Sequence, residues 1–118
     1  MADEIEQVRR ALEAIVRADE DLRLAMERHR DMSLETARRL EKGTESLTEI
    51  LVALHAAERR QEANDAIEQF ESARHAVRLA FFALGRTQGA TATAVGRALG
   101  ISRQLASRLA NMADQSNT

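Results

Sequence analysis

The chain contains no cysteine, no proline, no tryptophan and no tyrosine, and these absences narrow its chemistry before any motif is considered. Without cysteine it forms no disulfides and has no thiol chemistry. Because proline is absent and all five glycines lie at position 43 or beyond, nothing interrupts a helix over the first part of the chain. Three phenylalanines are the only aromatic residues, which is little for a compact globular core but enough for long helices that pair.

The sequence also lacks any apolar run long enough to cross a membrane. Its N-terminus, Met1-Ala-Asp-Glu-Ile-Glu, has neither the basic start nor the apolar stretch of a signal peptide. We therefore expect a cytoplasmic protein. At 118 residues the chain makes one or two small units, and small helical units often bury too little surface alone and rely on oligomerisation.

Charge is divided unevenly along the chain. Residues 1–71 carry ten arginines, one lysine and eighteen acidic residues, for a formal charge of −7, whereas residues 72–118 carry six arginines and one aspartate, for +5. This division predicts an acidic helical dimerisation or interaction region over 1–71 and a basic module over 72–118. A basic module with a short exposed helix is what a protein needs to bind double-stranded DNA.

Apolar residues of the acidic region recur at alternating spacings of three and four, which indicates a heptad seam with polar interruptions. Helix 1 is expected from Asp3 to Lys42, with Gly43 ending it in a left-handed cap. Ser46-Leu-Thr-Glu49 has the spacing of a capping box and should begin helix 2. The polar stretch 58–65 that follows predicts a break or a shift in register. The residues expected to form the dimerisation seam are Ile5, Val8, Leu12, Ile15, Leu22 and Met26.

Two arrangements of these helices are compatible with the pattern. Helix 1 can fold back on helix 2 as an antiparallel hairpin, and two such chains then pair into a bundle. A continuous parallel coiled coil satisfies the same seam. The predicted fold class is therefore all-α, with a long helical hairpin or coiled-coil dimerisation body followed by a C-terminal helix-turn-helix.

Three helices are predicted in the basic module, over about 72–84, up to Leu99, and over about 103–110. Thr91 or Thr93 can cap the second helix, and Ser102 the third. Gly100 can adopt the positive φ that the sharp turn between them needs. Gly96 and Ala106 are small where these two helices should cross. The apolar residues expected to face the shared core are Val95, Leu99, Ile101, Leu105 and Leu109.

The run Thr93-Ala-Val-Gly-Arg-Ala-Leu-Gly-Ile-Ser-Arg-Gln-Leu-Ala-Ser-Arg-Leu109 resembles the helix-turn-helix of bacterial transcriptional regulators and of the DNA-binding end of invertases and resolvases. The resemblance covers about residues 77–112. It departs from the common pattern at Gly96, where alanine is usual, and at Ala106, where a branched apolar residue is usual. Nothing upstream resembles a recombinase catalytic domain.

The resemblance implies that the third helix enters the major groove of DNA. Arg103 and Gln104 would then read base edges, with Ser107 on the same face. Contacts with DNA phosphates are expected from Thr91, Thr93, Ser102 and Arg108. Arg86 and Arg97 are further candidates for contacts with the DNA backbone. The residues expected to bind DNA are Thr91, Thr93, Arg97, Ser102, Arg103, Gln104, Ser107 and Arg108.

The sequence therefore predicts a homodimeric, sequence-specific DNA-binding regulator, with repression favoured over activation, acting at the nucleoid. We expect no enzyme activity, no cofactor and no metal, because His29, His55 and His75 lie along helices without ligand spacing and no nucleophile has a positioned base. Two alternatives remain. The acidic helices could be a module that binds a protein partner, or the chain could be an architectural DNA-binding protein of low sequence specificity.

Overall fold

The computed structural model describes residues 2–116, and all secondary structure within that range is helical. This confirms the predicted all-α class. No helix in the described range is both long enough and apolar enough to cross a lipid bilayer. The helices are α1 (Ala2–Lys42), α2 (Leu47–Ala53), α3 (Ala56–Thr87), α4 (Ala92–Leu99) and α5 (Arg103–Ser116).

Helix α1 ends, and α2 begins, at the residues that the sequence predicts. Gly43 has a φ of 72°, and its N–H donates to the carbonyl of Leu40 at 3.2 Å. The Ser46 hydroxyl oxygen accepts from the N–H of Glu49 at 3.2 Å, and the hydroxyl donates to the Glu49 carboxylate at 2.9 Å. Local chemistry is therefore sufficient to place this turn.

The expected long second helix is divided at Leu54 and His55, and not at the polar stretch 58–65. The Leu54 N–H donates to the carbonyl oxygen of Ile50 at 3.0 Å, and His55 then adopts a φ of 56°. Beyond this break α3 runs without interruption through 58–65 and past position 72, so a break at 58–65, one of the two possibilities predicted there, does not occur. Pairs one turn apart, such as the Gln61 amide donating to Asp65 at 2.8 Å, let this polar stretch remain helical.

The described residues group into two compact units. The acidic unit, residues 17–71, contains the larger part of α1, all of α2 and the first half of α3. Within it the chain folds back, since the Arg28 guanidinium donates to Glu62 at 2.6 Å across 34 positions of sequence. This is the fold-back of the hairpin alternative. The buried side chains of this unit are Ala25, Ile50, Ala63 and Ala66.

The basic unit consists of residues 1–16 and 72–118. It contains the start of α1, the second half of α3, and all of α4 and α5. Its core is formed by Phe82 and Ala83 of α3 with Leu109 of α5, and Val95, Ile101 and Leu105 pack against this cluster as expected. Leu99, also expected in the core, is 36% exposed. The prediction for Leu99 is wrong: Leu99 is the last residue of α4, and its side chain is not part of the cluster that Val95, Ile101 and Leu105 pack against.

The contact between α4 and α5 is very close at Gly96. A Cβ atom built on Gly96 would lie 2.6 Å from the Cβ of Ala106, which is only 2% exposed. This confirms that the two small residues lie where the helices cross.

We expect Gly96→Ala to destabilise the protein by about 1–3 kcal/mol, since overpacking at the crossing outweighs the roughly 1 kcal/mol gain in helix propensity. Urea unfolding of the wild type, G96A, A106G and the double variant measures this. Removing the Ala106 methyl should relieve the clash, so the double variant should be more stable than the two separate losses predict. Strictly additive losses would show that the contact is not tight.

The left-handed backbone of His55 predicts a stabilising substitution. That region costs a non-glycine residue roughly 1–2 kcal/mol, and the larger unfolded freedom of glycine offsets roughly 0.5–1 kcal/mol of it. His55→Gly should therefore raise the free energy of unfolding by about 0.5–1 kcal/mol. His75→Gly, at an exposed position inside α3, is the matched control and should lower it. Equal effects at both positions would contradict the assignment of strain to His55.

Near the end of α1, hydrogen bonds from the Arg38 guanidinium, with Arg39 also donating, lower the pKa of Glu35 from 4.5 to about 2. Because the pKa is lowered on folding, the stabilisation is present above about pH 4.5 and is lost as the pH falls toward 2. Glu35→Gln should therefore lower stability at neutral pH and flatten its decline between these values, as measured by thermal unfolding across the range. Arg38→Gln should weaken the same pH dependence. An unchanged slope in both variants would show that the pair of Glu35 with Arg38 is not its origin.

Candidate nucleic-acid interface

Helices α4 and α5 each begin at a side-chain cap, and backbone hydrogen bonds close the turn that joins them. The Thr91 hydroxyl accepts from the N–H of Ala94 at 3.1 Å and begins α4. At the other end Gly100 has a φ of 72°, and the Ile101 N–H donates to the carbonyl of Gly96 at 3.0 Å. Ser102 then accepts from the N–H of Leu105 at 3.1 Å and begins α5. The turn is therefore defined by hydrogen bonds on every side.

An open groove of about 640 Å³ runs between the first turn of α4 and one side of α5, and we call it the α4–α5 groove. It brings together four of the eight predicted DNA-binding residues, Thr93 from α4 with Arg103, Gln104 and Ser107 from α5. Its remaining lining consists of three alanines, among them the Ala106 already predicted to lie at the helix crossing, and one asparagine. These are Ala92, Ala106, Ala110 and Asn111.

A smaller concavity of about 200 Å³ adjoins this groove. Thr93, Arg103 and Ala106 line both of them, and Arg97 lines the smaller one. Arg97 is exposed on α4 and is therefore the fifth predicted residue at this surface. Because the groove and the smaller concavity share three lining residues, one ligand that lies across them can contact both.

The other three predicted residues lie differently. Thr91 and Ser102 are exposed but serve as the N-caps of α4 and α5, so each already has a structural role. Arg108 is exposed on α5 and lines neither concavity. Its position suits a contact at the edge of a ligand better than one at the centre.

The positive charges of this surface differ in their availability. Within residues 2–116, Arg97, Arg103 and Arg108 form no ion pair. Arg86, a sequence candidate for the DNA backbone, instead pairs with Asp114, the one acidic residue of α5. Three guanidinium groups therefore remain available to an anion, while the acidic group nearest to them along α5 is already neutralised.

The units differ in charge less than the sequence halves do. Residues 1–16 and 72–118 together carry eight arginines and five acidic residues, for +3, because four acidic side chains of early α1 join this unit. Residues 17–71 carry nine basic and fourteen acidic residues, for −5. One unit is therefore basic and the other acidic, as predicted, but the difference in formal charge between them is smaller than between the two halves of the sequence.

The predicted dimerisation residues divide into two sets. Ile5, Leu12 and Met26 are exposed, at 48%, 40% and 39%. The alternate residues Val8, Ile15 and Leu22 are half-buried within the single chain. Half of the seam is therefore already covered in the monomer, and the exposed half is available to a partner.

Asn111 is the polar residue of the groove that the sequence analysis missed. The third helix was expected to end near Ala110, whereas α5 continues to Ser116. With the longer helix, Asn111 falls one turn beyond Ser107 and two turns beyond Gln104 on the same exposed face. The sequence contains this spacing, but the predicted helix ended one residue before Asn111, so Asn111 was not assigned to the helix.

The chain matches no protein-family model, no curated protein and no solved structure. Within the described range, no three histidine, aspartate or glutamate side chains come together as metal ligands would.

Proposed function

We propose that this protein binds double-stranded DNA sequence-specifically through α4 and α5, as a dimeric transcriptional regulator, with repression favoured. The observation that carries the proposal is the convergence of Thr93, Arg103, Gln104 and Ser107 on one open groove. Hydroxyl, guanidinium and amide groups are the side chains that bind phosphates and base edges. The proposal assigns no catalytic residue, and such a protein acts at the nucleoid.

Two further features support a DNA ligand. The guanidinium groups of Arg97, Arg103 and Arg108 have no acidic partner among the described residues, so a phosphate would meet no internal competitor. The capped ends of α4 and α5 fix the backbone that carries the polar side chains, and this rigidity favours specific readout over loose attraction.

A dimer is the form that this proposal favours. Two copies of a short recognition helix reach successive major grooves about 34 Å apart, so the binding site should be roughly palindromic. The exposed side chains of Ile5, Leu12 and Met26 supply apolar surface that a second chain would cover.

Substitutions on α5 separate base readout from phosphate binding. Arg103→Ala and Gln104→Ala should each cost about 1–3 kcal/mol at one base position and relax specificity there. Arg108→Ala should weaken binding to all sequences alike and reduce the salt dependence by about one phosphate contact. Affinities for a selected duplex and for random duplex, measured across a salt series with the mass of the complex, distinguish these effects.

Arg60→Ala is the matched control, because Arg60 is an exposed helical arginine of the acidic unit and should leave DNA binding unchanged. Equal losses on selected and random duplex for all three α5 variants would contradict the assignment of base readout. Wild-type affinity that is the same on both duplexes would favour an architectural protein instead. Absence of binding at low salt would refute the proposal.

A second candidate, a protein-interaction module, is favoured by the apolar surface of the acidic unit. Val52, Leu34 and Leu47 are 71%, 56% and 51% exposed there. Apolar side chains of this size that are this exposed are a feature of surfaces that bind another protein. Val52→Ser and Leu34→Ser should leave DNA affinity unchanged. If either variant abolishes assembly of the dimer, the surface serves self-association, and the second candidate loses its support.

A further inference from the structure

The exposed face of α5 carries two amide side chains at matched positions. Gln104 and Asn111 are seven residues apart, with Ser107 between them, and all three are exposed and line the α4–α5 groove. The opposite face holds the buried residues Leu109 and Ala113. The amides therefore point away from the core along one line of the helix.

We propose, on the basis of the DNA-binding function above, that Asn111 is a second base-reading residue and that each half-site contains two A·T pairs about three base pairs apart. A carboxamide presents one donor and one acceptor side by side, which matches N6 and N7 of adenine in the major groove. Seven helical residues span about 10 Å, close to three base-pair steps of roughly 3.4 Å.

The rest of the groove agrees with this ligand. Ala92 and Ala110 add methyl groups to its lining, and alanine is one of the side chains that contact the C5 methyl of thymine. No acidic side chain lines the groove within the described residues, and the carboxylate of Asp114, elsewhere on α5, is paired with Arg86. A·T pairs therefore meet both amide and methyl groups, and the phosphates meet no facing carboxylate.

The test compares variants on a duplex selected with the wild-type protein. Asn111→Ala should lose about 5- to 140-fold in affinity on that duplex, as expected for one bidentate contact. Replacing one adenine with 7-deazaadenine, which lacks the N7 acceptor, should weaken the wild type comparably and leave Asn111→Ala unaffected. Gln104→Ala should lose its sensitivity to the other adenine, about three base pairs away.

Asn64→Ala, an exposed asparagine of the acidic unit, is the matched control and should bind like the wild type. Thermal unfolding checks that Asn111→Ala is folded. If the wild type selects a sequence and Asn111→Ala binds it equally well, the inference is overturned while the proposed function holds. An equal loss on selected and random duplex, or wild-type affinity insensitive to 7-deazaadenine, also overturns it. If the wild type binds no DNA, both fail.

Discussion

The close approach of α4 to α5 at Gly96 and Ala106 is the contact on which the candidate site depends. The absence of a side chain on Gly96 lets the Ala106 methyl group fill the space between the helices. Ala106 also lines both concavities, so the same atom group closes the core and forms the floor of the surface above it. A branched residue at either position would separate the helices and move Thr93 away from the α5 side chains that it faces.

Electrostatics at this surface are local and do not follow from net charge. Early α1 brings acidic side chains into the basic unit, which lowers its formal charge to +3. Attraction of an anion therefore depends on the few guanidinium groups without carboxylate partners. The pair formed by Arg86 and Asp114 contributes to the same result, because it removes one negative charge from α5 at the expense of one positive charge on α3.

Helix ends were predictable from sequence where one residue determines them, as at Gly43, Ser46 and Gly100, because caps are local chemistry. The break at His55 was not, since no glycine or proline marks it and a histidine in the left-handed region is uncommon. The packing of α1 was predictable only in part. Apolar periodicity favours leucine-sized residues, whereas the one buried residue of α1 is Ala25, whose small side chain lets helices approach closely. The α4–α5 groove could not be predicted from the sequence, because it forms only through the tertiary contact of α4 with α5.

The caps of α4 and α5 make folding and recognition hard to separate genetically. Each capping hydroxyl of Thr91 and Ser102 uses its oxygen to accept a backbone N–H, which leaves its own hydrogen to donate outward. Under the proposed function, a random mutagenesis screen for loss of DNA binding would recover both positions, whether the hydroxyl matters for capping or for contacting phosphate. Loss of binding in a Thr91 or Ser102 variant would result from a smaller folded fraction as readily as from a missing phosphate contact. Only binding measurements normalised to the folded fraction can distinguish these two causes.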